Sequence, residues 1–112
     1  MAPDCIFCKI GYGDLPSKII FQDSTAFAIR DINPKAPSHL LIIPFQHVES
    51  LTAANTAQRA AAVHCFAVAP QIANAAGIQS YRLIANQGSD AGQDIPHFHL
   101  HILGGRPLGA MG

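Results

Sequence analysis

The chain is poor in charge. Its 112 residues hold seven Lys and Arg and seven Asp and Glu, 12% in all, against 49% hydrophobic residues. That balance excludes an intrinsically disordered chain, which needs the reverse. The formal charge is zero with histidine neutral, which excludes a broad basic surface for a nucleic-acid backbone. A nucleotide bound here would be small and held in a pocket. Long apolar runs are missing too: the best candidate, residues 60–76, is interrupted by His64, Pro70, Gln71 and Asn74. No stretch approaches the ~20 residues that span a bilayer. The N-terminus has no basic segment leading into an apolar one, so no secretory signal is expected. Cysteine is scarce and odd in number, three in all, which argues against a disulfide framework. Together these features predict one soluble cytoplasmic domain over residues 1–112, with neither nucleic acid nor membrane as partner.

What is there reads as alternating strands and helices. Ile6, Phe7 and Ile10 fall at helical spacing and predict a short N-terminal helix ended by Gly11 or Gly13. Residues 18–22 and 25–30 are rich in β-branched and aromatic types and predict two strands, with Asp23-Ser24 as the hairpin turn. Asn33-Pro34 and Ala36-Pro37 break the chain before residues 39–44, an apolar run expected of a strand covered on both faces. Residues 52–76 are alanine-rich and predict a long helix, with Ala61, Cys65, Val68 and Ile72 on its apolar stripe. Thr52 is its expected N-cap, Pro70 is expected to kink or divide it, and Gly77 to end it. Residues 80–86 and 96–103 supply two more strands around a glycine-rich loop at 88–92. The fold class is α+β, a five-stranded antiparallel sheet with one long helix and a short N-terminal one. Strand order is not legible from these patterns.

Residues 97–101 read His-Phe-His-Leu-His. Strand alternation puts His97, His99 and His101 on one face and Phe98, Leu100 and Ile102 on the other. Neighbouring imidazoles would then stand roughly 6.5–7 Å apart. The apolar face is explained by core packing. Three of only six histidines in register are not. Such a row suits a metal, or nucleophilic and acid–base chemistry at a phosphate near neutral pH. The loop Asn86-Gln-Gly-Ser-Asp-Ala-Gly-Gln93 just upstream favours the second, because its glycines let backbone N–H groups turn toward an anion.

The segment His97-Phe98-His99-Leu100-His101-Ile102-Leu103 resembles the histidine-triad (HIT) signature. The loop at 86–93 and the following Gly104-Gly105-Arg106 are similar to the Hint branch of that family, the purine nucleoside phosphoramidases. Asp31-Ile-Asn-Pro-Lys-Ala-Pro-Ser-His39 resembles the segment that the branch places at the ribose. The correspondence runs from about Cys5 to Arg106. It implies a HIT-like fold, a homodimer whose two sheets join, and hydrolysis of nucleoside 5′-phosphoramidates such as adenosine 5′-monophosphoramidate. By match to the signature, His99 would be the nucleophile that takes the nucleotidyl group, an AMP or GMP moiety. His101 would sit at the phosphate and leaving group, with His39 completing the cluster. Asn86, Gly92 and the backbone around Asp94 and His99 would hold phosphate oxygens, and Asp31 the ribose hydroxyls. Phe7, Ile10, Leu15, Ile29 and Ile32 match the apolar base pocket, although hydropathy alone would assign them to the core.

Cys5-Ile-Phe-Cys8 is a Cys-x-x-Cys pair, readable as buried thiols, a redox pair or half of a zinc site. A redox motif would need a βαβ context, which the chain start lacks. Two thiolates need two further ligands, and His47 and His97 are the candidates. Many bacterial members of the family carry such a site, which implies a closed, structural Zn²⁺ and chemistry that needs no metal. Cys65 reads as helix packing and His64 as a rim residue.

Two departures bear on substrate. Asp94 stands where animal relatives have a serine near the phosphate, and a carboxylate there repels a nucleotide unless it turns away or is protonated, which would leave only its backbone N–H to contribute. The chain also has no tryptophan, whereas those relatives carry one near the end that reaches the partner's site. The competing readings are a dinucleoside polyphosphate hydrolase or phosphorylase, a nucleotide-binding adaptor with incidental activity, and a metalloenzyme with all three strand histidines on one zinc.

Overall fold

The computed structural model describes residues 4–112. A first helix, α1 (Ile6–Gly11), is capped by Cys5, whose Sγ accepts the Cys8 N–H at 3.4 Å. The strands are β1 (Phe21–Gln22), β2 (Ala26–Arg30), β3 (Ser38–Pro44), β4 (Tyr81–Ile84) and β5 (Leu100–Gly104). They form one five-stranded sheet in the order β1-β2-β3-β5-β4, antiparallel at every step. The Asp23-Ser24 turn forms as expected: Asp23 Oδ1 accepts the Thr25 and Ala26 N–H groups, each at 2.8 Å. A long helix, α2 (Thr56–Ala75), crosses one face of the sheet.

Burial follows from strand alternation. On β3, Leu40 and Ile42 pack beneath α2 with Ala61, Cys65, Ala69 and Ile72, while Leu41 and Ile43 pack on the opposite face with Phe7, Phe27 and Ile29. The central strand is therefore covered on both faces. The second cluster is a smaller core built around α1, and it places Cys5, Phe7 and Cys8 beside the segment that leads into β5. Among the described residues no helix is long and apolar enough to cross a membrane.

Several boundaries differ from the sequence expectation. The N-cap of α2 is Asn55, not Thr52: Asn55 and Gln58 exchange reciprocal side-chain bonds of 2.9 Å, a capping box. Pro70 does not divide α2. Its ring lies on the exposed side, while Ala69, Ile72 and Ala73 hold both flanks to the core. Gly77 ends the helix as expected with φ +75°, and the Ile78 and Gly77 N–H groups close onto Ala73 and Asn74 in a Schellman motif. The strands expected at 18–22 and 80–86 pair only over Phe21–Gln22 and Tyr81–Ile84.

The strand expected at 96–103 pairs only from Leu100. Extending the β3–β5 register would set Phe98 opposite Pro44, which has no N–H to give. The Pro44 carbonyl is taken instead by His97 Nε2–H at 2.8 Å, and the Phe98 N–H turns to the carbonyl of Val48. His97 and His99 thus lie just ahead of the ladder, and only His101 is within it.

Candidate active site and metal cluster

The facing of residues 97–102 survives the shortened ladder. Phe98, Leu100 and Ile102 enter the core beneath α2, and the three histidines face the other side. They serve two neighbouring centres. His97 turns to the thiols of Cys5 and Cys8, whereas His99 and His101 lie with ring centroids 5.0 Å apart. That is closer than the strand repeat, because His99 precedes the ladder and the rings lean together.

His99 is 6% exposed and stacks edge-on against Phe7 at 5.1 Å. Its Nδ1–H donates to the His97 carbonyl at 2.8 Å, so the neutral ring carries its proton on Nδ1 and a lone pair on Nε2. Asp94 Oδ1 stands 3.9 Å from that Nε2. A second chain of bonds orders the other rings. The Lys35 N–H donates to His39 Nδ1 at 3.0 Å, which leaves the His39 proton on Nε2. This Nε2–H reaches His101 Nδ1 at 2.8 Å and lies 3.4 Å from Asp31 Oδ2. His101 then carries its own proton on Nε2. Burial holds both rings neutral: it lowers His39 against the pull of Asp31, and lowers His101 to about 4 with the His99 and His39 charges adding to the effect.

Two cavities meet at these rings. One, of about 480 Å³, is lined by Phe7, Ile10, Leu15, Ile29, Asp31 and Ile32, and reaches Asp94, His99 and His101. The other, of about 320 Å³, holds Asp31, His39, Asn86, Gly92, Asp94 and His101. Every residue that the signature assigned to base, ribose or phosphate therefore lines one cavity or the other. Ile32 is 92% exposed at the rim, so it is not core. Sequence reasoning missed Leu41 and Ile95, which complete the apolar wall. Leu41 was legible as the residue two places after His39 on one strand face. Gln93 was missed as well. Its Oε1 accepts the Gly88 N–H at 2.9 Å and its Nε2 donates to the Glu49 and Ile95 carbonyls, which fastens the glycine-rich loop.

The second centre gathers Cys5, Cys8, His47 and His97, whose ligand atoms all lie within 4.8 Å of one another. The spacings are 3.2 Å for Cys5 Sγ to His97 Nδ1, 3.3 Å for Cys8 Sγ to His47 Nδ1, and 3.2 Å between the two Nδ1 atoms. A tetrahedral zinc with Zn–S of about 2.3 Å and Zn–N of about 2.05 Å has S···N edges of about 3.6 Å and N···N edges of about 3.3 Å. The donor set is close to that shape. Burial lowers His97 to about 4 and the Pro44 carbonyl takes its Nε2–H, so Nδ1 is left as a lone pair aimed at the thiols. His64 and Cys65 belong to neither centre: His64 Nε2 pairs with Asp23 Oδ2 at 2.6 Å, and burial pushes the Cys65 thiol up to about 12.

Comparison with known proteins agrees with this geometry. Residues 13–108 match the HIT domain family. The purine nucleoside phosphoramidase of Escherichia coli K12 is 42% identical over 113 residues, covering 99% of this chain and 95% of that protein. A histidine triad protein from Clostridium difficile superposes with a TM-score of 0.93 at 38% identity, covering 100% of this chain and 99% of the other. A HIT family hydrolase from Clostridium thermocellum gives 0.91 at 40%, covering 98% and 97%. Matched over most of its length by the family and by relatives of this identity, the chain belongs to the HIT domain family.

Proposed function

We propose that this HIT-family protein hydrolyses nucleoside 5′-phosphoramidates of the AMP or GMP type through a covalent nucleotidyl–His99 intermediate. The observation that carries the reading is the bond from His99 Nδ1–H to the His97 carbonyl at 2.8 Å, which turns Nε2, the lone-pair nitrogen of the neutral ring, toward the apolar cavity and Asp94. That Nε2 forms a bond to phosphorus while the P–N bond breaks, its electron pair leaving with the amine. The proton the amine needs passes from His101 Nε2–H, while the hydrogen-bonded His39–His101 pair takes up one proton from solvent in the same step, so that neither ring is left as an imidazolate. Water then attacks phosphorus and loses a proton to solvent, the electron pair of the P–Nε2 bond returns to His99 Nε2, and the nucleoside 5′-monophosphate leaves. The apolar cavity of about 480 Å³ suits a purine, with Asp31 at its edge for the ribose. Similarity to the E. coli phosphoramidase supports the same assignment.

Cys5, Cys8, His47 and His97 would hold Zn²⁺ as a closed, structural site, which supplies cross-linking and no Lewis-acid step. The protein would act as a cytoplasmic homodimer, which sedimentation would test. The decisive experiment is steady-state hydrolysis of an adenosine 5′-phosphoramidate by wild type and by His99→Ala, each checked for folding. Acid–base assistance alone is worth about 10²–10⁴-fold, so loss of the nucleophile should exceed that range. Equal rates in both, or nucleotide binding without turnover in either, would overturn the mechanism and favour an adaptor.

A further inference from the structure

Asp94 is the charged residue whose position the proposed chemistry does not use. Its carboxylate does not turn away from the site. Oδ1 stands 3.9 Å from His99 Nε2, the side chain is 80% exposed, and the residue lines both cavities. Among the other charged side chains in those walls, Asp31 and Lys35 have local partners. Asp31 accepts the Asn33 N–H on Oδ1 at 2.8 Å and faces His39 on Oδ2. Lys35 Nζ is drawn to the Asn33 carbonyl at 3.2 Å, and Arg30 borders only the apolar cavity of these two. Asp94 therefore sets an exposed carboxylate 3.9 Å from the atom that would attack phosphorus, on the wall that the two cavities share.

We propose that Asp94 sets the leaving-group preference of this site, favouring amines that carry positive charge and disfavouring leaving groups that carry further negative charge. The inference rests on the phosphoramidase reading and deepens it. An amine becomes more positive as the P–N bond breaks and it takes up its proton, and a nearby carboxylate favours that change. A leaving group with additional phosphates or carboxylates meets repulsion at the same place. At about 6–8 Å through a solvent-exposed mouth, one unit charge is worth about three- to tenfold in relative rate, and added salt weakens it.

The test uses the full-length protein and three adenosine 5′-phosphoramidates that differ only in the amine tail: an ammonium, a methoxy group or a carboxylate. kcat/KM is measured for each with wild type, Asp94→Asn and Asp94→Ser, at low and high salt. The expected order in wild type is ammonium, methoxy, carboxylate, with about three- to tenfold per step. Both variants should compress that spread toward equality, and so should high salt in wild type alone. A spread that persists unchanged in Asp94→Asn, or an absent spread in wild type, overturns the role of Asp94 while leaving the phosphoramidase reading intact. Failure of wild type to cleave the methoxy substrate overturns the reading and the inference together. A purely structural role for Asp94 would shift all three rates by one factor and leave their ratios alone.

Discussion

At the scale of single residues, the candidate site is defined by where its protons are held. The His97 carbonyl, the Lys35 N–H and the His39–His101 bond together choose one tautomer for each of three rings. The sequence announces which rings are present, but their tautomers depend on backbone groups that only folding brings near. Holding these rings neutral has a cost that pH exposes. Burial depresses His101 to about 4 in the folded chain, whereas an unfolded histidine titrates near its ordinary value of about 6.5. Stability from this group is therefore present above about pH 6.5 and is lost as pH falls toward 4, because the unfolded chain then binds a proton that the folded one refuses. The expected outcome is a urea midpoint that declines from pH 7 to pH 5. His101→Asn, which leaves the Cys5, Cys8, His47 and His97 cluster intact, should show a shallower decline. Identical slopes in both proteins would remove His101 as a source of the pH dependence.

At the scale of elements, patterning located each strand and helix, while their ends were decided by neighbours distant in sequence. Alanine content and the stripe through Ala61, Cys65 and Ile72 were enough to predict α2, yet Asn55 displaced Thr52 as its cap because Gln58 stands in position to complete the box. The pairing of β5 begins at Leu100 because the opposite strand ends in Pro44, a constraint invisible until β3 and β5 are known to be neighbours. The order β1-β2-β3-β5-β4 is likewise a matter of long-range pairing. Close packing where β4 meets β5 yields a specific expectation. A Cβ at Gly104 would fall 2.6 Å from Ile78 Cγ2 and 2.8 Å from the Ser80 carbonyl oxygen. The second of these is backbone and cannot rotate aside. Gly104→Ala should cost about 1–3 kcal/mol. Hydrogen exchange should speed first at Tyr81–Ile84, the strand that must move away. Unchanged exchange on that strand would mean that the turn at Ser80 absorbs the added methyl.

At the scale of the whole molecule, the proposed function would divide the work of the two centres between chemistry and anchoring, and residues 97–101 connect them. Cys5 and Cys8 come from the start of α1, His47 from the segment after β3, and His97 from the approach to β5. An ion shared by these four would tie three distant pieces of chain together two residues before His99. Zn²⁺ bound in this way contributes directly to folding, since the unfolded chain has no such site. Cys8→Ser should therefore lose bound zinc and melt lower, by several kcal/mol or on the order of 10 °C. His99→Ala should keep its metal, because that ring lies outside the four-residue group. Chelation provides the sharper contrast. If the ion only anchors, activity should fall in step with loss of the folded signal as metal is withdrawn. If the ion took part in catalysis, a chelated protein that was still folded would already be inactive, and metal measured beside circular dichroism during one titration separates the two. The four donors already supply a full tetrahedral set, which leaves no position for substrate, so the loss of activity is expected to follow the fold.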